Sequence, residues 1–270
     1  MVVGSTGKTG SRIAERLARK GVSIRHGSRR ANPSFDWLQD STWSPCLKGV
    51  ESVYISFSGD LAVAGSSDII VAFVSEAKRQ GVKRAVLLTG RGEDEAKKSE
   101  RALQQSGLLW TIVRAAWFNQ NFSEGAFADL VDTGQISLPA GDTPEPFVDA
   151  DDIADVVVAA LTEPGHEDEV YDLTGPRLMT FSDIANTLSI ATGREITFLD
   201  VPHDAFIAHV QETAAPHEVV WLLDYLFTTL LDGRNASVSD GVERALGRPA
   251  KDFSAYAQSV AAAGGWGAGA

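Results

Sequence analysis

Val2-Val3-Gly4-Ser5-Thr6-Gly7-Lys8-Thr9-Gly10, running on into Ser11-Arg12-Ile13-Ala14-Glu15-Arg16-Leu17-Ala18-Arg19-Lys20-Gly21, is the stretch on which the reading of the fold turns. Two β-branched residues make a short strand, three glycines at a spacing of three make a tight turn, and Ile13, Ala14, Leu17 and Ala18 form one apolar helical face. Arg19 and Lys20 occupy the last helical turn, and Gly21 supplies the left-handed stop. In a strand, glycine turn and helix of this kind the backbone can approach a dinucleotide's pyrophosphate, and the N–H groups of the helix start face the anion. The sites assigned to the phosphates are therefore Gly4, Ser5, Thr6, Gly7, Lys8, Thr9 and Gly10. Gly7-Lys8-Thr9 imitates the end of G-x-x-x-x-G-K-[ST], but the first glycine of that motif would fall on Val2, so a triphosphate loop is excluded. A glycine turn without a cofactor is the plain alternative.

Val22 to Gly27 reads as the second strand, and its end discriminates between dinucleotides. An acid about twenty residues past the glycine turn would hold the ribose 2′-hydroxyl of NAD. Here stand Ser28, Arg29 and Arg30, with no acid before Asp36. A guanidinium fork beside a hydroxyl suits the 2′-phosphate of NADP(H), which is expected to be preferred over NAD(H). A solvated basic turn is the alternative for these residues.

Further along, strand-like runs at Val53–Phe57, Arg84–Leu88 and Trp110–Arg114 alternate with helical patterns at Ile69–Lys78 and Glu93–Gln105. This alternation predicts an α/β fold, a Rossmann-type doubly wound parallel sheet with a smaller, mostly helical C-terminal lobe. After Trp117 the rhythm loosens. A helix is expected over Phe122–Val131, a strand over Gln135–Leu138, a helix over Asp151–Leu161, and strands at Val170–Leu173 and Glu195–Leu199. The nominal division is 1–150 for the dinucleotide-binding domain and 151–270 for a smaller substrate lobe interleaved with it. The stripe Val219, Leu222, Leu223, Leu226, Leu230 and Leu231 is assigned to lobe core in preference to a subunit contact, and Gly264 to Ala270 reads as a loosely held tail.

The chain has 270 residues and a net charge of −12, from 36 acidic and 24 basic side chains. That field repels a phosphate backbone, so neither nucleic acid nor an anionic membrane is an expected partner. One cysteine, Cys46, excludes an internal disulfide and a cysteine-based metal knot. No apolar run has the length of a membrane span and the first strand begins at once, so a soluble, cytoplasmic protein is expected, with a first strand that is short or starts upstream of Met1. Asp149, Asp151, Asp152 and Asp155 gather at a helix start, where carboxylates cap N–H groups and oppose the dipole, so no metal is assigned. His203, His209 and His217 match no zinc spacing, and no G-x-S-x-G elbow is present.

Beyond the glycine turn, the ordered marks are Leu87-Leu88-Thr89-Gly90; Ser106-Gly107-Leu108 before Trp110-Thr111-Ile112-Val113-Arg114; Trp117-Phe118-Asn119-Gln120-Asn121-Phe122; and Pro146-Phe147-Val148-Asp149 leading into Asp152-Ile153-Ala154-Asp155. Over nearly its whole length the chain resembles an atypical short-chain dehydrogenase/reductase of the NmrA-like, NAD(P)H-binding type. That group includes quinone, dye and iminium reductases and regulators that bind the dinucleotide without turning it over. The resemblance fails at the Tyr-x-x-x-Lys pair of the catalytic short-chain enzymes, because four residues beyond Tyr54, Tyr171, Tyr225 and Tyr256 stand Ser58, Gly175, Thr229 and Val260. Hydride transfer to an already electrophilic acceptor does not need that pair.

The expected function is thus an NADPH-dependent reductase of a small aromatic or conjugated acceptor. Thr89 and Arg91 are placed beside the nicotinamide, Ser56 and Lys97 join the cofactor set, and Trp117, Phe118 and Asn119 line the acceptor pocket. The catalytic candidates are Thr89, Arg91 and Lys97. Lys97 among Glu93, Glu95 and Glu100 also suits a solvated ion pair, Trp117 and Phe118 also suit a core, and Asn119 or Asn121 also suits a helix cap. The rival is a catalytically silent NADP(H) sensor with a regulatory protein partner; a homodimer stays open, and an epimerase ranks last.

Overall fold

The computed structural model describes residues 1–125 and 127–267. In chain order the elements are β1 (Val2–Val3), α1 (Lys8–Arg19), β2 (His26–Gly27), α2 (Trp43–Leu47), β3 (Ser52–Ile55), α3 (Ser66–Arg79), β4 (Arg84–Gly90), α4 (Asp94–Gln104), β5 (Leu109–Ala115) and α5 (Ala128–Thr133). They continue as β6 (Gln135–Leu138), α6 (Ala150–Thr162), β7 (Glu169–Leu173), α7 (Phe181–Thr192), β8 (Thr197–Asp200), α8 (His203–Glu212), α9 (His217–Tyr225), α10 (Gly241–Leu246) and α11 (Phe253–Ala262). They form two compact units, one of residues 1–115, 150–173 and 240–248, the other of residues 116–149, 174–239 and 249–270. A cut at residue 150 therefore does not follow the units: 116–149 group with the second and 150–173 with the first.

The first unit is a six-stranded sheet in the order β2-β1-β3-β4-β5-β7, with every pairing parallel. Side chains of a strand alternate between faces. On β3, Tyr54 turns to α1, where its hydroxyl lies 2.8 Å from Thr9 Oγ1, while Val53 and Ile55 join the core built with Ile70 and Phe73 of α3. Helices thus cover both faces, which is the doubly wound arrangement. α1 and α6 are laced by Arg16, whose guanidinium donates to Asp151 at 2.7 Å and Asp155 at 2.6 Å; Arg248 donates to Asp152 at 2.7 Å and Asp155 at 2.6 Å. The acids at the start of α6 are thereby taken up by arginines, beyond any capping of the helix.

β2 spans only His26–Gly27 rather than Val22–Gly27, because β1 offers two residues to pair with and Val22 is exposed. Phe35, Trp37, Trp43 and Phe73 then close an aromatic knot, with ring centroids 4.9 to 6.2 Å apart, under the irregular segment before β3.

In the second unit, β6 and β8 form a two-stranded parallel sheet, and α7, capped by the Thr180–Asp183 box, packs with α11 around Phe122, Phe147, Phe181 and Phe253. Instead of one helix over Phe122–Val131 the chain makes a helical turn at Asn119–Phe122 and then α5; residue 126 lies outside the described residues. The tail expectation is corrected as far as residue 267. Trp266 is buried and its Nε1 donates to the Phe122 carbonyl at 2.6 Å, so a single indole anchors a glycine-rich segment; residues 268–270 lie outside the described residues. In the stripe after Val219, Leu230 and Leu231 are buried and Leu223 packs against the second unit's core, while Val219 is 42% exposed.

Candidate functional site

All strands of the first unit run parallel, so the turns after β1, β3 and β4 emerge at one edge of the sheet. Gly4 takes the left-handed conformation at φ 67°, and its carbonyl accepts from the Gly7 N–H at 2.8 Å, which closes the turn. Gly10 is required by packing: a Cβ there would lie 2.1 Å from the Gly4 oxygen. Gly7 caps α1 with no side chain, and no acid stands in the first helical turn, so the positive end of the helix dipole carries no fixed counter-charge. Ser5 is buried and its Oγ has no hydrogen-bond partner. A turn with glycine at 4, 7 and 10, a helix start without an acid and an orphaned hydroxyl fit a phosphate cradle. Thr6 is exposed, whereas Thr9 is turned inward to Tyr54 and away from that cradle. Ser56 stands beside Gly4, its Cβ 3.6 Å from where a Gly4 side chain would begin.

Past β2, Ser28 opens a turn in which its carbonyl accepts from the N–H groups of Ala31 at 3.1 Å and Phe35 at 3.0 Å. Arg29 and Arg30 are exposed and form no ion pair among the described residues. Asp36, the nearest acid, is occupied by its own turn, where Oδ1 accepts from the Leu38 N–H at 3.0 Å. Two guanidinium groups without carboxylate partners therefore stand where the 2′-substituent of a dinucleotide is discriminated.

At the end of β4 the structure separates residues that sequence grouped. Thr89 is buried and its hydroxyl donates to Glu100 Oε1 at 2.9 Å, on the α4 side of the sheet. Glu100 in turn receives Arg114 Nε at 2.8 Å and Nη2 at 2.6 Å. The Arg91 N–H is tied to the Ala115 carbonyl at 3.1 Å. Lys97 pairs with Asp94 at 2.8 Å and is half exposed, which is the solvated ion pair. Two groups not singled out in the sequence lie here instead. Asp60 is half-buried in the loop after β3, and Glu93, 6% exposed, stands at the N-cap position of α4 without a side-chain cap bond. Burial first, and then the Asp60 charge, push the Glu93 carboxyl up to about 9. Neither acid sits in a sequence motif.

Trp117, Phe118 and Asn119 belong to the second unit. The Trp117 ring is 5.6 Å from Phe227, 5.9 Å from Phe181 and 6.1 Å from Phe127, so it is part of that unit's aromatic core. Phe118 is half-buried and bridges to Val148, and the Asn119 N–H donates to the Val148 carbonyl at 2.8 Å. The Asn119 side chain is wholly buried, and neither its Oδ1 nor its Nδ2 has a hydrogen-bond partner, an expensive arrangement that a bound polar group would relieve.

Tyr54 and Tyr171 offer no substitute for the absent Tyr-x-x-x-Lys pair. Burial pushes the Tyr54 phenol far above its ordinary range, and Tyr171 is engaged with His166 Nδ1 at 2.9 Å. Cys46 is buried among the first unit's core residues. Among the described residues no three metal-ligating side chains cluster, and no helix is long and apolar enough to cross a membrane.

A family model described as NAD(P)H-binding matches residues 4–164, which is more than half of the chain. An NAD(P)H azoreductase of Xenophilus azovorans is 29% identical over 97% of this chain and 98% of its own. The fold is shared with a Citrobacter sp. triphenylmethane reductase in complex with NADP(H), at TM-score 0.75 and 19% identity over 96% of this chain and 98% of that one. It is shared also with NmrA, a negative transcriptional regulator in complex with NADP, at TM-score 0.71 and 16% identity over 100% and 97%. At these identities the two structures speak to the fold alone.

Proposed function

We propose, from the premise that this chain belongs to the NAD(P)H-binding family, that it is a reductase passing hydride from NADPH to a small electrophilic aromatic or conjugated acceptor of the quinone, dye or iminium type. The observation that carries the reading is the strand edge itself. A cradle kept clear by Gly4 and Gly10, the buried Ser5 hydroxyl without a partner and the exposed, unpaired Arg29 and Arg30 form one run of sites suited to a 2′-phosphorylated dinucleotide. The bound cofactor would supply a hydride. The chain would supply orientation and exclusion of water, and the azoreductase likeness over almost the whole length supports a reducible, conjugated acceptor.

Arg29→Ala is expected to weaken NADPH by about 1.5–3 kcal/mol, the worth of a charge-assisted contact, and to leave NADH much less affected. Titrations of intrinsic fluorescence with both dinucleotides measure this, and equal losses would remove the preference for NADPH. The second reading, a dinucleotide sensor without turnover, is favoured by the lack of any Tyr-x-x-x-Lys pair. Nicotinamide absorbance followed on adding a quinone, a cationic dye and an iminium compound separates the two. Saturable, protein-dependent oxidation is expected; tight binding without oxidation would establish the sensor and direct the search to a protein partner.

A further inference from the structure

α3 and α4 pack on the same core of the first unit and leave between them a groove of about 600 Å³, within the range of small-ligand sites. From α3 it is lined by Val71, Val74, Ser75 and Lys78, and from α4 by Lys98, Arg101, Ala102 and Gln105. Both sets are spaced i, i+3, i+4, i+7, which is one face of each helix. The core takes other residues, Ile70 and Phe73 of α3 and Ala96 and Leu103 of α4. Seven helical steps make the groove about 10 Å long. Its floor is apolar, built from buried Val74, half-buried Ala102 and Val71, which is 45% exposed. No residue assigned above to the dinucleotide or the acceptor lines it.

The rim is cationic, and no carboxylate is among the described residues that line the groove. Arg101 is exposed and forms no ion pair among the described residues. Lys78 donates to the Ser106 carbonyl at 2.6 Å, which ties the turn after α4 to the end of α3, and its ammonium has two further N–H groups to give. Lys98 shares its charge with Glu95. The other acids of these helices are taken up or set aside: Glu76 receives Arg79 at 2.7 Å, Asp94 receives Lys97 at 2.8 Å, Glu100 receives Arg114 at 2.6 Å, and Asp68 stands a turn before Val71. The two serines of the lining serve the backbone, Ser75 Oγ donating to the Val71 carbonyl at 2.9 Å and Ser106 Oγ accepting the Leu108 N–H at 3.1 Å. Polar recognition in the groove therefore falls to cations, in a chain whose net charge is −12. Two copies of this face brought together would set Lys78, Lys98 and Arg101 against the same three charges, which argues against a second copy as the occupant.

We propose that the groove between α3 and α4 binds an organic anion with an apolar body, its carboxylate or sulfonate held by Arg101 with Lys78 and Lys98 beside it, and its chain or rings laid along Val71, Val74 and Ala102. A guanidinium without a carboxylate partner supplies the forked donor that such a head group needs, and the apolar floor distinguishes the ligand from a bare inorganic anion. The site goes beyond the reductase reading and holds whether or not the chain turns NADPH over, because the dinucleotide and the anion occupy different residues.

The experiment is a calorimetric titration of the whole protein with octanoate, octanol, octylammonium and inorganic phosphate, each with and without saturating NADPH. Octanoate is expected to bind about tenfold more tightly than the other three, the low end for a charge-assisted contact partly in water, and to bind equally well with NADPH present. Arg101→Ala is expected to weaken octanoate about tenfold and to leave octanol unchanged, and Val71→Glu, which sets a carboxylate on the floor, to weaken it at least as much. Amide hydrogen exchange with octanoate bound should slow over residues 71–78 and 98–106 and stay as it was over 4–10 and 28–30. Octanol binding as tightly as octanoate, Arg101→Ala without effect, or no saturable binding of octanoate would overturn the site. So would release by NADPH or protection at the glycine turn, either of which puts the anion in the dinucleotide cradle. Should a variant fail to fold, the octanol comparison and the exchange pattern of the unaltered protein decide. NADPH oxidation is not read in any of these, so the reductase reading stands or falls separately.

Discussion

The Glu93 carboxyl, ordinarily half-ionised near 4.5, keeps its proton to about 9 in this fold, first because of burial and then because of the Asp60 charge. Between those two values the folded protein binds more protons than the unfolded chain, so stability falls as pH rises. The contribution is complete below 4.5 and has been lost once pH has passed about 9. Glu93→Gln keeps the shape and removes the titration. The melting temperature of the variant relative to the parent is therefore expected to climb across that window and to level above it, as followed by thermal unfolding in a pH series. A constant offset would mean that the carboxyl titrates normally. A single side chain of this kind was not legible in the sequence. Glu93 stands among Glu95 and Glu100 with nothing to mark it, and the Asp60 charge comes from thirty-three positions away.

The Glu100 carboxylate of α4 receives both Arg114 of β5 and the Thr89 hydroxyl of β4. Glu100 is 4% exposed and Arg114 31%. Arg114→Ala leaves that carboxylate buried without its cation and is expected to cost about 3 kcal/mol, at the low end for a broken buried pair because Arg114 is partly in water. Urea unfolding of the variant measures it, and Glu100→Gln combined with Arg114→Met should recover much of the loss. A cost under about 0.5 kcal/mol would class the contact with surface pairs. The elements themselves were largely legible: α1, α3, β4, α4 and β5 lie within a few residues of their expected spans, because a buried face repeats at 2 or 3.6 residues. The glycine turn was legible for a different reason, since the backbone approach at Gly10 admits no other residue. The partners of Thr89 and Thr9 were not legible, because a hydroxyl looks the same in sequence whether it faces a ligand or, as here, bonds Glu100 and Tyr54.

At the scale of the molecule the chain returns twice to its first unit, and this decides what can be cut away. α6 contributes Ile153, Ala154, Val156, Val157 and Ala160 at 0% exposure, and β7 pairs with β5 from Thr111↔Glu169 to Ala115↔Leu173. Arg16 of α1 depends on Asp151 and Asp155 for its partners. A break at residue 150, natural on the motif pattern alone, removes all of these and strips one edge of the sheet. Burial of each large aliphatic side chain stabilises by about 1.5–3 kcal/mol, so losing Ile153, Val156 and Val157 alone rivals the net stability of a domain, about 5–15 kcal/mol. The fragment 1–150 is therefore expected to melt without a cooperative transition, to bind a hydrophobic dye, and to have lost NADPH binding. A chain that joins 1–115 to 150–173 through a flexible linker restores α6 and β7 and is expected to regain cooperative melting and NADPH binding. Calorimetry with and without NADPH distinguishes them. A fragment 1–150 that melts cooperatively and is stabilised by NADPH like the whole protein would show that the sheet needs neither returning segment.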